Sequence, residues 1–423
     1  MPAFASASRA TEPSVPTPRE PALPMPSTSD PRSGDPLAGG RRVAIVGAAL
    51  SDCGRVDHKT VYELHYQATT RALEDAGLTR ADIEGFMSTG TGTLAPIEVC
   101  DYLGIRPRWV EGTNVGGSAW QFMVEHAVAA IASGYVDVVA ITYGSTTRSD
   151  LKKKLRTANL TFGGRGAEQF DVPYGHTLIS RYAMAATRHM HEYGTTIEQL
   201  AEIAVSTRYN ASLNPEAMYR ELITIDDVQS SPMMADPLTK LHCCLRSDGG
   251  GSIILASEDR ARDCAKAPVW ILGTGEAISH TTMSEWTDFT ESPCVRSGEQ
   301  AFRRAGVTPA DIDVCQLYDS FTPTVLLTLE GLGFCAKGEG GSFVEDGKLR
   351  VGGALPTNTD GGGLSACHPG MRGMFLFVEA VRQLRGECGP RQVEGAELAC
   401  VNGTGGWFSS AGTVILGNEP GSP

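Results

Sequence analysis

Short apolar runs and one-sided helical patterns alternate along the chain from about residue 41 onward. The run Val43-Ala-Ile-Val-Gly-Ala-Ala-Leu50 is apolar or small at every position, which predicts a central strand covered on both faces. Over 60–76 the apolar and small positions fall at Val61, Leu64, Ala68, Ala72 and Leu73, the spacing of a helix with one buried face. Residues 119–133 are apolar on most sides and stop at Gly134, so a helix inside the protein is expected there, followed by a buried strand over 136–143. The same alternation resumes later, with strands expected over 250–256 and 267–275. Helices come next over 326–335, ending near Gly333, and over 371–384, with Leu376, Val378 and Leu384 inward. Between the two series, 149–233 reads as an inserted loop domain carrying helices over 182–193 and 197–208.

The pattern also repeats itself. ALEDAGLTRADIE from Ala72 and AFRRAGVTPADID from Ala301 are identical at seven of thirteen positions. Each copy reads as a helix end capped by a glycine, Gly77 or Gly306, then a polar turn, then a strand. A solenoid repeats every few tens of residues, so copies this far apart point instead to two similar halves packed together. The residues after the two copies differ. Phe86-Met87-Ser88 comes after the first, and Tyr318-Asp319-Ser320-Phe321 after the second, so only the second half offers an acid/base pair.

Composition narrows the function. With 423 residues, 41% of them hydrophobic, the chain can bury a large core in two domains or two fused halves. A formal net charge of −13 argues against nucleic acid and against an anionic membrane surface, leaving small molecules or other proteins as partners. The eleven cysteines lack any CxxC spacing and read as reduced thiols of a cytoplasmic protein. No run approaches the roughly 20 apolar residues of a membrane helix. Residues 1–40, rich in Pro, Ser and Ala, read as a disordered lead.

Several motifs carry little. GAALSDCG after the first strand lacks the GxGxxG spacing of a dinucleotide cradle. His189 and His191, two apart on a helix, do not share a face and read as surface or capping residues, not metal ligands. His242-Cys243-Cys244 reads as part of a buried strand. No metal site is expected. The Gly-containing turn 115–118 is more open: it either lets the buried helix pack tightly or aims that helix's free N–H groups at a ligand.

The order of these elements, the stop at Ala130-Ile131-Ala132-Ser133-Gly134, Ser247-Asp248-Gly249-Gly250-Gly251, Gly362-Gly363-Leu364-Ser365 with His368-Pro369, and the end at Gly403-Thr404-Gly405-Gly406 together resemble the thiolase superfamily. Within it the likeness is to the sterol-carrier-protein-x and lipid-transfer-protein branch. The resemblance covers about 41–417. It implies an α/β fold of five αβαβα layers, in which two five-stranded mixed sheets enclose paired central helices. The halves would be 41–266, including the loop domain, and 267–420.

The departures from that family are informative. Its nucleophilic cysteine should fall at Gly117, within a residue, and neither Gly117 nor Ser118 supplies a thiol. Its second cysteine should lie near Asn402 or Gly403, and Cys400 is two or three residues early. Thiolases have Asn-Glu-Ala-Phe or His-Asp-Cys-Phe where this chain has Tyr318-Asp319-Ser320-Phe321.

A thiolase without its nucleophile keeps an acyl-CoA pocket, an oxyanion hole and an acid/base residue. The resemblance then implies a steroid side-chain aldolase, which splits a β-hydroxyacyl-CoA into a carbonyl product and a shorter acyl-CoA. Tyr318 would take the β-hydroxyl proton and Asp319 would orient it. His368, expected at a helix N-terminus, would stabilise the enolate with main-chain N–H groups near Gly117 and Gly405. Ser118, Asn358 and Gly406 complete the expected substrate-binding set. The plainer readings are a cleft-filling Tyr318 and a capping His368. Aldolases of the branch often carry a second Tyr where His368 stands. Retention of the His, with Cys367 beside it, keeps an atypical β-ketoacyl-CoA thiolase or acetyl-CoA acetyltransferase as an alternative, and a non-catalytic acyl-CoA-binding scaffold is a third. No separate cofactor is implied, coenzyme A being part of the substrate. The implied partners are a second copy in a homodimer and a small OB-fold and zinc-ribbon protein completing a heterotetramer.

Overall fold

Strand β1 (Val43–Leu50) forms where the unbroken apolar run predicts it, and its side chains alternate between two cores. Val43 and Ile45 enter an inner apolar cluster, while Ala44 and Val46 enter an outer one, which is why no polar position interrupts the run. The computed structural model describes residues 40–154, 168–174 and 177–420. Residues 1–39 of the expected lead, and parts of the expected loop domain at 155–167 and 175–176, lie outside the described residues.

The first half continues with helix α1 (Val61–Ala76), β2 (Gly85–Met87), β3 (Trp109–Glu111), helix α2 (Ala119–Ala132) and β4 (Val138–Ser145). Helices α3 (Leu178–Tyr193) and α4 (Ile197–Ser212) come next, and β5 (Gly249–Ser257) returns to the sheet. The second half contributes β6 (Val269–Ile278), α5 (Cys294–Ala305), β7 (Val314–Leu317), α6 (Thr322–Gly331), α7 (Gly373–Leu384), β8 (Leu398–Gly405) and β9 (Ser410–Gly417).

These nine strands run in the order β3-β2-β4-β5-β1-β6-β9-β8-β7. β4, β2 and β3 are mutually parallel neighbours, as are β8 and β7, and the remaining pairs are antiparallel. Read outward from the middle, β1-β5-β4-β2 and β6-β9-β8-β7 are the same mixed arrangement, so the duplicated sequence is a duplicated topology. Among the described residues, the named strands of the two halves join where Ala44 and Ile45 pair with Trp270 and Val269. The structure therefore differs from the expected pair of five-stranded sheets: the second half has no strand corresponding to β3 among the described residues, and the halves share this short seam.

The layers are set by which helices touch which strands. α2 packs on β4 and β5 of one half and on β6, β8 and β9 of the other; α7 packs on β1 and β5 and on β7 and β8. Both helices thus lie between the halves, and their residues from Trp120 to Ile131 and from Met374 to Leu384 form the middle of the inner cluster. α1 covers the outside of the first half, and α5 the outside of the second. An apolar helix surface on nearly all sides is required of a layer with sheets above and below.

The helices of the inserted segment do not make a core of their own. Tyr182, Ala186, Leu200 and Ile203 share one cluster with Cys315, Leu317 and Phe321 of the second half. α3 starts four residues earlier than the pattern predicts, because Thr177 and Ser180 form a capping box. His189 is not the surface or capping residue its spacing suggests. It is buried, with Nε2 3.0 Å from both oxygens of Glu330 and Nδ1 2.9 Å from Thr195 Oγ1, and it ties α3 to α6. Helical periodicity alone could not see a carboxylate 141 residues away. His191 is exposed, as expected. His242 is buried, in a short turn, not a strand, and lies 2.9 Å from Thr322 Oγ1.

Candidate active site

The centre of the molecule is built from three chain segments that meet where α2 begins, β7 ends and β8 ends. Gly116–Ser118 form one 3₁₀ turn leading into α2, as the glycines at 116 and 117 suggest. β7 ends at Leu317, and Tyr318 donates its backbone N–H to Asn402 O of β8 at 2.9 Å. That bond fixes the Tyr318 ring beside Gly117.

The contact between those two residues decides the chemistry. A Cβ built on Gly117 would collide with the Tyr318 ring and with the carbonyl oxygen of Thr404. Residue 117 can therefore only be glycine while Tyr318 stands where it does, and the phenol ring fills the room a side chain at the helix start would need. Ser118 gives no substitute nucleophile at this place. Its hydroxyl is 2.8 Å from Ser410 Oγ, which in turn donates to Val115 O at 2.7 Å.

Tyr318 Oη lies 3.1 Å from His368 Nε2, the two rings crossing at 88°. Both residues are buried. Burial, and then the positive charge of Arg372, push the His368 imidazole down to about 4, so it is neutral near pH 7. Burial first, with Cys244, Tyr182 and Tyr143 adding to it, pushes the Tyr318 phenol well above its usual value, so it keeps its proton. A protonated phenol against a neutral imidazole is a pair through which one proton can pass in either direction.

His368 is not at a helix N-terminus. Pro369 and the left-handed Gly370 (φ 89°) interrupt the chain, and α7 begins only at Gly373. The turn is held by side chains instead. The His368 N–H donates to Ser247 Oγ at 2.9 Å, Tyr143 Oη donates to Pro369 O at 2.6 Å, and Arg372 Nη1 donates to Cys367 O at 2.8 Å. Sequence reasoning missed Ser247, Tyr143 and Arg372 as supports of this site. Two of them stand in or beside recognisable motifs, Ser247 just before Asp248-Gly249 and Arg372 three residues after Pro369, but nothing local announces their partners.

Asp319 does not touch the Tyr318 hydroxyl. Adjacent residues of an extended segment face opposite ways. Its carboxylate accepts the N–H groups of Gly363 at 2.7 Å and Leu364 at 3.1 Å, and lies 3.4 Å from Arg372 Nε. Burial raises it to about 6 against the opposing pull of Arg372 and those two amides. Arg372 is fully buried and bonds Asp360 more closely, with Nη2 2.6 Å from both carboxylate oxygens. Asp319 thus anchors the 361–366 turn that carries the chain to His368. Asn358 has a similar role: its Oδ1 accepts the N–H of Leu317 at 2.9 Å, pinning the last residue of β7.

Gly405 and Gly406 close the third side of the site, packed against Val115 and Gly116 at the entry to α2. Thr404 Oγ1, Asn402 Oδ1 and Asn358 Nδ2 are buried with no hydrogen-bond partner among the described residues; Asn402 and Thr404 alternate with the inward Gly403 and Gly405 and share the outer face of Cys400, where Asn402 Nδ2 donates to Thr413 Oγ1 at 2.8 Å. Each such orphan costs about 1–3 kcal/mol.

The other thiols are turned away from this centre. Cys400 lies in the outer cluster of the second half, opposite Cys315 on the neighbouring strand, whereas Tyr318 lies in the inner one. Cys367 Sγ points to Ser247 Oγ at 3.0 Å and lines a separate cavity that neither Tyr318 nor His368 lines. Among the described residues, no group of three His, Cys, Asp or Glu side chains is placed to hold a metal ion, and no helix is long and apolar enough to cross a membrane.

Comparison with known proteins agrees with this architecture. Residues 275–418 match the family described as thiolase C-terminal domain-like. The chain is 34% identical to an acetyl-CoA acetyltransferase of Methanothermobacter thermautotrophicus, over 89% of this chain and 99% of the relative. It is 35% identical to a steroid side-chain-cleaving aldolase of Thermomonospora curvata, over 81% of this chain and 90% of the relative. Among solved structures, the Ltp2-ChsH2(DUF35) aldolase superposes with a TM-score of 0.80 at 32% identity, covering 89% of this chain and 97% of that one. With relatives of both kinds matched over nearly their whole length, the chain belongs to the thiolase superfamily, in the branch of the sterol-carrier, lipid-transfer and steroid-aldolase proteins.

Proposed function

We propose that this protein is a carbon–carbon lyase that cleaves a β-hydroxyacyl-CoA by a retro-aldol reaction, with a steroid or similar side chain as the acyl group. The observation that carries the reading is the Tyr318 ring lying against Gly117, with its hydroxyl on His368. The superfamily's acyl transfer needs a nucleophile at the start of the buried helix, and here that room belongs to an acid/base residue.

In the reaction, Tyr318 Oη accepts the proton of the substrate's β-hydroxyl while passing its own proton to His368 Nε2. The resulting alkoxide collapses to the carbonyl product, the Cα–Cβ bond breaks, and its electron pair becomes the thioester enolate. His368 returns its proton to Cα through Tyr318, which leaves the shorter acyl-CoA and restores the pair. Main-chain N–H groups at Gly117 and at Gly405–Gly406 are the donors for the enolate oxygen, each such donor contributing roughly 3–4 kcal/mol. Asp319 and Asn358 position the turn and strand end without touching the reacting atoms.

The likeness to an acetyltransferase favours thiolysis as the second reading. Against it stand Cys367 and Cys400, whose sulfurs face other parts of the molecule. Purified protein should be given a β-hydroxyacyl-CoA in one reaction and a β-ketoacyl-CoA with free CoA in another. Aldol products from the first support the lyase; products from the second alone remove it. A second copy of this chain is the proposed oligomeric partner. The matched aldolase is named with two components, Ltp2 and ChsH2(DUF35), which supports a second, different chain as co-partner; that it is a small OB-fold and zinc-ribbon protein rests on the family resemblance alone. Full activity of the lone chain would remove that requirement.

A further inference from the structure

A cavity of about 560 Å³ lies beside the His368 turn, lined by Leu50, Cys53, Arg71, Asn214, Cys367 and Arg382 together with neighbouring residues. It holds two thiols from opposite ends of the sequence. Cys53 sits in the loop after β1, with Sγ 4.0 Å from Gly250 O, Cys367 immediately precedes His368, and both side chains line this one cavity. Cys367 Sγ is also 3.0 Å from Ser247 Oγ and 3.8 Å from Asp248 O.

The pair is polarised. Burial opposes ionisation of Cys367, but hydrogen bonds from Cys53 and Ser247 and the charge of Arg372 outweigh it and hold this thiol below its usual value. Cys53 is pushed up, first by its bond to Cys367 and then by burial. Of the two, Cys367 is the sulfur that ionises more readily.

A second thiol pair provides an internal contrast. Cys315 and Cys400 face each other across β7 and β8, in register. Both are 0% exposed and neither lines the cavity. Adjacent thiols with no access should stay inert, since oxidation needs a thiolate that the oxidant can reach.

We propose that Cys53 and Cys367 form an oxidation site that takes hydrogen peroxide from the cavity and closes to a disulfide. The Cys367 thiolate attacks one peroxide oxygen, the O–O bond breaks, and the leaving hydroxide takes the Cys53 proton to become water. The Cys53 thiolate then attacks the sulfur of the Cys367 sulfenic acid. The S–S bond forms, the S–O bond breaks, and the second hydroxide takes a proton from solvent. The two thiols lose two electrons in all, and the peroxide is reduced to two waters.

The bond forms one residue from His368. Drawing Cys367 Sγ onto Cys53 removes it from Ser247 Oγ, the same oxygen that holds the His368 N–H. If the lyase reading holds, oxidation then shifts His368 away from Tyr318 and slows cleavage.

The test uses the whole chain, treated with hydrogen peroxide, blocked with N-ethylmaleimide, digested and analysed by mass spectrometry. The expected result is a Cys53–Cys367 linked peptide that dithiothreitol releases, with Cys315 and Cys400 becoming alkylated only after unfolding. The proposal is overturned if Cys53 and Cys367 both remain alkylatable after peroxide, or if Cys315 and Cys400 link in their place. In parallel, Cys53→Ser should keep the untreated cleavage rate and escape the loss of about 10-fold or more that peroxide causes in the native chain. Equal sensitivity of the variant overturns the coupling to His368. A chain that cleaves nothing would defeat the lyase reading but would still give the linked peptide.

Discussion

α1, its cap at Gly77, the turn 79–82 and β2 recur in the second half as α5, Gly306, the turn 308–311 and β7. The caps are left-handed with φ,ψ of 71°,23° and 68°,24°. Thr79 and Thr308 each donate N–H and Oγ1 to the carboxylate three residues on, at 2.9 and 2.8 Å to Asp82 and at 2.7 Å twice to Asp311. Local structure is therefore the same in both copies, because it is fixed by the residues that are identical in both. The strand ends are different. In the first, Ser88 Oγ donates to Thr142 O and accepts from Gly90 N, a self-contained polar turn. In the second, Tyr318 reaches across to Gly117 of the first half and to His368. One scaffold thus served twice, once to end a strand and once to deliver a phenol to the seam between halves.

The largest test of that asymmetry is Tyr318→Phe. It keeps the ring that fills the room at Gly117 and removes only the hydroxyl, so cleavage of a β-hydroxyacyl-CoA should fall by about 10²–10⁴-fold. Melting temperature and CoA-ester binding should change little. Undiminished cleavage would leave the second strand end as inert as the first.

Next is Gly117→Ala, which places a methyl group against the Tyr318 ring and Thr404 O. Overpacking of this kind costs about 1–3 kcal/mol in unfolding free energy. The displaced phenol should lower kcat by roughly 10²-fold. An active, equally stable variant would mean that the ring is not confined as described.

The pH dependence sharpens the same comparison. Cleavage needs a neutral His368, so the acid limb of kcat/KM should lie near pH 4, not near 6.5. Stability has the same sign. Buried His368 and His65, at about 4 and about 3 when folded, would each take a proton near pH 6.5 when unfolded. Between those values the unfolded chain binds more protons, so this contribution to stability is present above pH 6.5 and is lost as pH falls. His126 of the first half works oppositely. Hydrogen bonds to Glu111 and Glu276 outweigh burial and raise it to about 10, so its contribution is full below pH 6.5 and fades as pH rises to 10. Thermal melts of His126→Gln and native chains across pH 5–10 check the sign: their difference should shrink toward the alkaline end.

The smallest effect belongs to the first strand end. Thr89 stands where the repeat places Tyr318, offset by the same 229 positions that relate Ala72 to Ala301. Thr89→Val should change stability by no more than about 0.5 kcal/mol and leave cleavage within about twofold. A large loss of activity would show that the first copy also contributes to the reaction.

Much of this was legible in the residues. The run at 43–50 gave a strand buried on both faces, because apolar positions without a polar interruption have few other solutions, and the mostly apolar 119–133 gave the helix between the layers. Gly117 and Tyr318 stood out as departures from the family pattern. The role of Asp319 did not, since a carboxylate beside a tyrosine looks like its partner until the strand's alternation sends it to Gly363 and Leu364. His368 was recognisable as a site residue, but its helix begins at Gly373, five residues beyond it, and Ser247 and Arg372 hold it where a cap was expected. His189 looked exposed because its partner is a glutamate on a distant helix.

The sequence by itself determined the elements, their duplication, and the lack of a thiol at the head of the central helix, because these depend on local propensity, periodicity and residue identity. Only the tertiary structure decided that the Tyr318 ring occupies the space beside Gly117, that its hydroxyl meets His368, and that Cys53 meets Cys367. Those contacts join residues dozens to hundreds of positions apart, and the packing of one half against the other sets their distances.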